Sequence, residues 1–111
     1  MMAIPEYGNY DGLGLAELVR KKKVSPSELV EEAIQRVEAH NPNLNAVINK
    51  LYDRARTVAK GSLPEGSFRG VPFLMKDLLA KLEGIPTSAG NKLWKDVPAR
   101  VDSELARRWM N

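Results

Sequence analysis

Arg69-Gly70-Val71-Pro72-Phe73-Leu74-Met75-Lys76-Asp77-Leu78-Leu79 is an apolar run with one lysine set inside it. A near-continuous hydrophobic run reads as a strand covered on both faces, here from about Val71 to Leu78. In that register Leu74, Lys76 and Leu78 point to one face and Phe73, Met75 and Asp77 to the other. Lys76 and Asp77, though adjacent, are then not a simple ion pair. A lysine in such a run reaches water along its stem, pairs with an acid, or loses its proton. If the Leu74/Leu78 face is covered, desolvation lowers the lysine pKa, and a neutral amine can take a proton from a hydroxyl. The run alone also admits a plainer reading, in which Lys76 marks the strand end and reaches solvent.

On the N-terminal side of this run the sequence spells helices. Residues 1–10 read as a loose lead-in, and a first helix is expected from about Leu13 to Lys22, with Leu15, Leu18 and Val19 on one face. Ser25-Pro26-Ser27-Glu28 supplies an N-cap serine, a proline at the first helical position and the glutamate of a capping box. The helix it opens carries Leu29, Val30, Ala33, Ile34 and Val37 on one stripe. Asn41-Pro42 predicts its end near His40. Leu44 to Ile48 reads as a short extended piece, and a third helix as about Leu51 to Lys60, with Leu51, Ala55, Val58 and Ala59 inward and Gly61 as C-cap. Beyond the run, Gly84 to Asn91 is a loop of small residues. Asp102-Ser103-Glu104 then opens a last helix whose Leu105 and Trp109 would face the core.

Composition bounds the function. The chain has 111 residues, 43% of them hydrophobic and 28% charged, with a formal net charge of +3, which fits one soluble domain. Arg20-Lys21-Lys22-Lys23 concentrates the positive charge, but at a helix end that suits the macrodipole and a solvated face. No aromatic residue interleaves with it, so no nucleic-acid partner is expected. With no cysteine and a single histidine, His40, no metal site is expected. Gly12-Leu13-Gly14 lacks the third glycine of a dinucleotide fingerprint, and no Gly-Lys-Ser/Thr closes the later loop, so no cofactor is expected either. No segment approaches the roughly 20 apolar residues of a membrane span, and Met1 to Glu6 has no signal-peptide pattern. A cytoplasmic protein is the default expectation.

The ordered set of segments resembles the N-terminal portion of the amidase signature family. The resemblance begins at Ser25-Pro26-Ser27-Glu28-Leu29 and Ala33-Ile34-Gln35-Arg36, and continues through Asn43 to Val47 and Arg69 to Asp77. It ends with Gly84 to Asn91 and Val97-Pro98 through Leu105. Its wording is closer to general amidases, such as cyclic-dimer nylon-oligomer hydrolases, than to the amidotransferase subunit acting on tRNA-bound glutamate. The resemblance implies an α/β fold, a mixed sheet wrapped by helices, of which this chain would give mostly helices plus one core strand. It implies hydrolysis of carboxylic amides by a Ser–Ser–Lys triad, with Lys76 as the catalytic lysine, drawing a proton through a middle serine from the nucleophile. Asp77 matches the residue that usually follows the lysine, and its expected role is to hold local backbone by hydrogen bonds. Thr87-Ser88-Ala89-Gly90 would lie near the site and shape it.

The sequence departs from the family pattern where the serines should be. Ser25, Ser27, Ser62, Ser67, Ser88 and Ser103 are isolated, and none stands in a Gly/Ser-rich setting. Residues 1–111 are therefore expected to be the N-terminal part of a single amidase domain, truncated before the Gly/Ser-rich segment and inactive alone. The expected partners are a small-molecule amide in the complete enzyme, and either the remainder of the amidase or a second copy of the chain. The alternative is a non-catalytic helical interaction module that pairs with a separately encoded remainder. An unpaired strand edge would invite such pairing.

Overall fold

The computed structural model describes residues 4–111. The described chain divides into two compact units, the first ending at Pro72 and the second spanning Phe73–Asn111.

In the first unit the lead-in is structured. Ile4 is buried, and Pro5–Asn9 forms a 3-10 turn; the first three residues of the lead-in lie outside the described residues. Helix α1, Gly12–Arg20, starts on Asp11, whose carboxylate accepts the Gly14 N–H at 2.7 Å. It closes with Lys22 in the left-handed region (φ 55°), with Lys23 N–H bonding Leu18 C=O and Lys22 N–H bonding Val19 C=O, both at 2.9 Å. This pair of bonds is a Schellman ending, here without the usual glycine. Lys21, Lys22 and Lys23 lie exposed at this end, as the macrodipole favours.

Helix α2, Pro26–Leu44, opens on the expected capping box: Ser25 Oγ accepts the Glu28 N–H at 3.2 Å, and Glu28 Oε2 accepts the Ser25 N–H at 2.7 Å. It runs past Pro42 rather than stopping near His40. Proline lacks one N–H donor, and here only the last turn loses it. The Asn41 side chain fastens the exit by accepting from Val47 N–H at 2.8 Å and donating to Val47 C=O at 3.0 Å. Asn45 caps the helix in the left-handed region, and residues 45–48 are irregular rather than extended.

Helix α3, Tyr52–Lys60, has no buried residue, and Val58 is exposed rather than inward. Polar bonds tie it to α2. Arg56 donates to both oxygens of Glu31, at 2.6 and 3.1 Å, and Tyr52 Oη donates to Glu38 at 2.6 Å. Gly61 ends α3 in extended backbone rather than the left-handed cap expected.

Ile4, Leu15 and Leu29 form the apolar core, with Leu18, Val19, Val24 and Val71 packed on it. Val71 reaches this core because Gly70 turns in the left-handed region (φ 83°); a Cβ there would meet Pro26 Cγ at 3.0 Å and Val19 Cγ1 at 3.2 Å. Only glycine allows that approach without strain. Glu32 is buried beside the core. Its carboxylate accepts the Ile4 N–H at 3.0 Å and the Arg36 Nε–H at 2.8 Å, and the Arg36 guanidinium lies 5.0 Å from the Tyr7 ring centre. These bonds hold the Glu32 carboxyl below the usual glutamate range, the Ile4 N–H contributing most.

The second unit is mainly loop. A 3-10 turn, Lys92–Trp94, and one helix, α4 (Glu104–Met110), are its helical elements. Ser103 caps α4 by accepting the Ala106 N–H at 3.2 Å. Ala106, not Leu105 or Trp109, is the buried residue of the helix. The segments 81–86 and 98–103 are laced together. Gly84 N–H bonds Ala99 C=O at 2.9 Å, Ala99 N–H bonds Ile85 C=O at 3.0 Å, and Ser103 N–H bonds Lys81 C=O at 2.9 Å. Asp102 adds a side-chain bond, accepting the Glu83 N–H at 2.7 Å.

Candidate active site

The run from Val71 to Leu78 does not form the expected strand. Val71–Lys76 has no regular structure, and Asp77 begins a turn in which Leu79 is left-handed (φ 68°). β-pairing among the described residues is limited to two isolated bridges, Glu83 with Ala99 and Pro86 with Pro98. A strand persists only when neighbours satisfy its N–H and C=O groups, and none is present beside 71–78. The covering that would desolvate Lys76 is also absent: Leu74 is 68% exposed and Leu78 47% exposed. Lys76 itself is exposed.

Asp77 is the anchored member of the pair. Its Oδ1 accepts the Ser88 N–H at 2.7 Å, and its Oδ2 accepts the Ser88 hydroxyl. Ser88 is buried, and its Oγ also accepts the Gly90 N–H at 3.3 Å. The carboxyl of Asp77 is held below the usual aspartate range, first by the Ser88 hydroxyl and then by backbone N–H groups of Ser88, Gly90 and Ala89. Those amides converge because Ala89 and Gly90 both take left-handed backbone, φ 51° and 74°. Asn91 then caps the turn that follows, accepting the Leu93 N–H at 2.9 Å. The backbone immediately after Lys76 is thereby fastened to the Thr87–Gly90 loop, the local role expected of Asp77.

This arrangement offers an amine in water beside a fixed turn. The Ser88 hydroxyl is committed to Asp77, while Ser25 and Ser103 are committed to helix caps. Trp94 and Trp109 are exposed by 55% and 45%, and Trp109 meets Phe73 edge to face, with ring centres 4.8 Å apart. A shallow depression of about 330 Å³, lined by Val19, Lys22, Lys23, Val24 and Ser25, belongs to the first unit. Among the described residues no three His, Cys, Asp or Glu side chains cluster to hold a metal ion, and no helix is long and apolar enough to cross a membrane.

The Amidase family model matches residues 28–111, a span containing Lys76, Asp77 and the Ser88 loop. The chain belongs to the amidase family. The 6-aminohexanoate-cyclic-dimer hydrolase of Paenarthrobacter ureafaciens is 39% identical over 94 residues, 85% of this chain and 19% of the hydrolase. AmiC of Mycobacterium tuberculosis, whose name places it among amidases, is 39% identical over 101 residues, 90% of this chain and 21% of AmiC. The lipoamidase of Enterococcus faecalis is 37% identical over 107 residues, 96% of this chain and 15% of the lipoamidase. The chain spans about a fifth of the length of these curated relatives.

The Glu32 network was not anticipated from the sequence. Its one visible signal is the i, i+4 spacing of Glu32 and Arg36 on the stripe that carries Leu29. The partner of Asp77 was equally hidden, because Ser88 lies eleven residues away across a loop.

Proposed function

We propose that this chain is the base-bearing part of an amidase and that Lys76 is the base. The supporting observation is the family match running through Lys76, in a segment whose next residue is pinned by hydrogen bonds. In a Ser–Ser–Lys triad the unprotonated amine of Lys76 would accept a proton from a middle serine as that serine takes one from the nucleophile. The nucleophile's oxygen attacks the amide carbonyl, and the returning proton goes to the leaving nitrogen as the C–N bond breaks. Water then hydrolyses the acyl-serine. Asp77, bound to Ser88, would keep the backbone beside the amine in place. Lys76 is exposed in this chain, so in this reading further protein would enclose it in the complete enzyme. The serines and the oxyanion donors would come from outside these 111 residues, and the chain alone is inactive in this reading. The substrates are small carboxylic amides, as the names of the cyclic-dimer hydrolase and the lipoamidase suggest for their own reactions.

A serine-directed fluorophosphonate probe should leave the isolated chain unlabelled; labelling would show that it carries its own nucleophile. In an amidase completed with this chain, Lys76→Ala should lower kcat at least a thousandfold with KM little changed. Retained turnover would remove Lys76 from the mechanism. A second reading, a non-catalytic module for a separately encoded remainder, draws on the uncovered apolar side chains of the second unit.

A further inference from the structure

Ser88 is the one buried serine among the described residues. Every polar atom it has is in use. Its N–H donates to Asp77 Oδ1 at 2.7 Å and its hydroxyl donates to Asp77 Oδ2. Its Oγ accepts the Gly90 N–H at 3.3 Å, and its C=O accepts the Asn91 N–H at 2.8 Å. A serine nucleophile needs a base to take its proton and an open path to a carbonyl carbon. Ser88 is only 8% exposed, and the carboxyl that holds its proton lies below the usual aspartate range, which makes it a weak base. The bonds of Ser88 thus serve placement rather than attack.

What they place is the residue after Lys76. Segment 81–86 is tied to 98–103 without Ser88, through Gly84, Ile85 and Lys81 backbone bonds and the Asp102 carboxylate. Residues 71–76 have no regular structure of their own. Ser88 joins the two, because it grips both oxygens of the Asp77 carboxylate from one residue. Two bonds to one carboxylate fix direction as well as distance, where one bond would leave a swivel. We infer that Ser88 is a positioning residue for the amidase reaction: its hydroxyl, acting through Asp77, sets where the Lys76 backbone stands. The inference rests on the reading of Lys76 as the base and adds a second residue on which that base depends. Without the hydroxyl, Asp77 Oδ2 loses this donor, Gly90 N–H loses its acceptor, and the grip is reduced to the Ser88 N–H.

The test has two arms. In this chain alone, nitrogen-15 relaxation reads how firmly the Lys76 and Asp77 backbone is held. Ser88→Ala should lower their order parameters from about 0.85 to below about 0.6, while Gly84 and Ala99 stay as they were. Unchanged values at Lys76 and Asp77 would overturn the inference, and so would an equal loss at Gly84 and Ala99, which would make Ser88 a residue of the general fold. The second arm uses the Paenarthrobacter ureafaciens cyclic-dimer hydrolase with its matched segment replaced by this chain. There Ser88→Ala should lower kcat about a hundredfold, as expected for a reacting group displaced by about 1 Å, with KM little changed. Ser88→Thr, which keeps the hydroxyl, should recover most of that loss, and Ser62→Ala, on an exposed connector, should change nothing. In a Lys76→Ala background Ser88→Ala should have no further effect, because residues acting as a unit are not additive. A full additional loss there, or wild-type kcat in Ser88→Ala while Lys76→Ala is inactive, would overturn the inference and leave the base reading standing. Wild-type turnover in Lys76→Ala would overturn the base reading itself, and the catalytic part of this inference with it.

Discussion

Ile4, Leu15 and Leu29 meet in one apolar cluster built by the lead-in, α1 and α2. The segment from Phe73 onward keeps its shape by other means, through Asp77 on Ser88, Asp102 on Glu83, and backbone bonds between 81–86 and 98–103. One region is held by removing carbon from water, the other by satisfying polar groups with little carbon removed. The contrast matters for the proposed function, because Lys76, the proposed base, sits in the second kind of region. Apolar packing specifies position through shape, whereas a loop tied by a few hydrogen bonds opens locally at low cost.

The largest expected effect lies in the packed region. Leu29 is fully buried, so Leu29→Ala should cost about 2.7–5 kcal/mol, read by urea denaturation followed through the helical signal. A loss below 1 kcal/mol would show that the cluster does not organise the first unit. Next comes Glu32, the polar exception inside that apolar region. Glu32→Gln removes the charge that holds Ile4 N–H and Arg36, and should cost about 1.5–3 kcal/mol. The pH dependence has a defined sign. The folded carboxyl lies below its ordinary value, so its contribution is complete above the unfolded value of about 4.3 and is lost as pH falls through the folded value. The wild-type chain should lose stability over that acid window more steeply than Glu32→Gln. Parallel acid profiles for the two would show that Glu32 is not the group responsible.

Asp77 is the counterpart in the second region. Asp77→Asn keeps the shape but weakens acceptance from the Ser88 hydroxyl and N–H, and should cost about 1–2 kcal/mol locally. The readout is amide exchange at Ser88 and Gly90, expected to quicken about tenfold while amides of α2 stay unchanged. Faster exchange throughout α2 would mean that the two regions open together, and the contrast between them would fail. Acid should mimic the substitution. The Asp77 carboxyl is also held low, so the clamp is intact above about 3.9 and is released as pH falls through the folded value.

What was legible in the sequence divides along the same line. The capping box at Ser25 and the Ser103 cap were readable because each is decided within about one helical turn of chain. The end of α2 was misplaced because a proline in the last turn removes a single donor, and Asn41 supplies other bonds across to Val47. The run around Lys76 has strand composition, yet strand formation is decided by partners remote in sequence, and no rule of composition supplies them. The family was readable from the order of motifs. Lys76 was singled out by that order rather than by any burial or geometry. Gly70 stood in the same run without a reason; the reason is the approach of Val19 and Pro26, contacts from helices some fifty residues earlier.

The smallest effect tests how the loop beside Asp77 is bent. Ala89 holds φ 51° with its side chain exposed, so its Cβ makes no burial that offsets the left-handed backbone. That conformation costs an L-residue about 1–2 kcal/mol, while glycine pays about 0.5–1 kcal/mol in unfolded-state entropy. The two nearly cancel, leaving Ala89→Gly stabilising by about 0.5 kcal/mol, visible as slower exchange of the Ser88 amide. A destabilised loop would mean that the alanine is held by something other than the Asp77 clamp. A substitution to Val, whose branched side chain resists positive φ, should act in the opposite direction and open the clamp. The pair of substitutions therefore separates bending imposed by the backbone from bending imposed by Asp77, at the point where the loop meets the residue beside the candidate base.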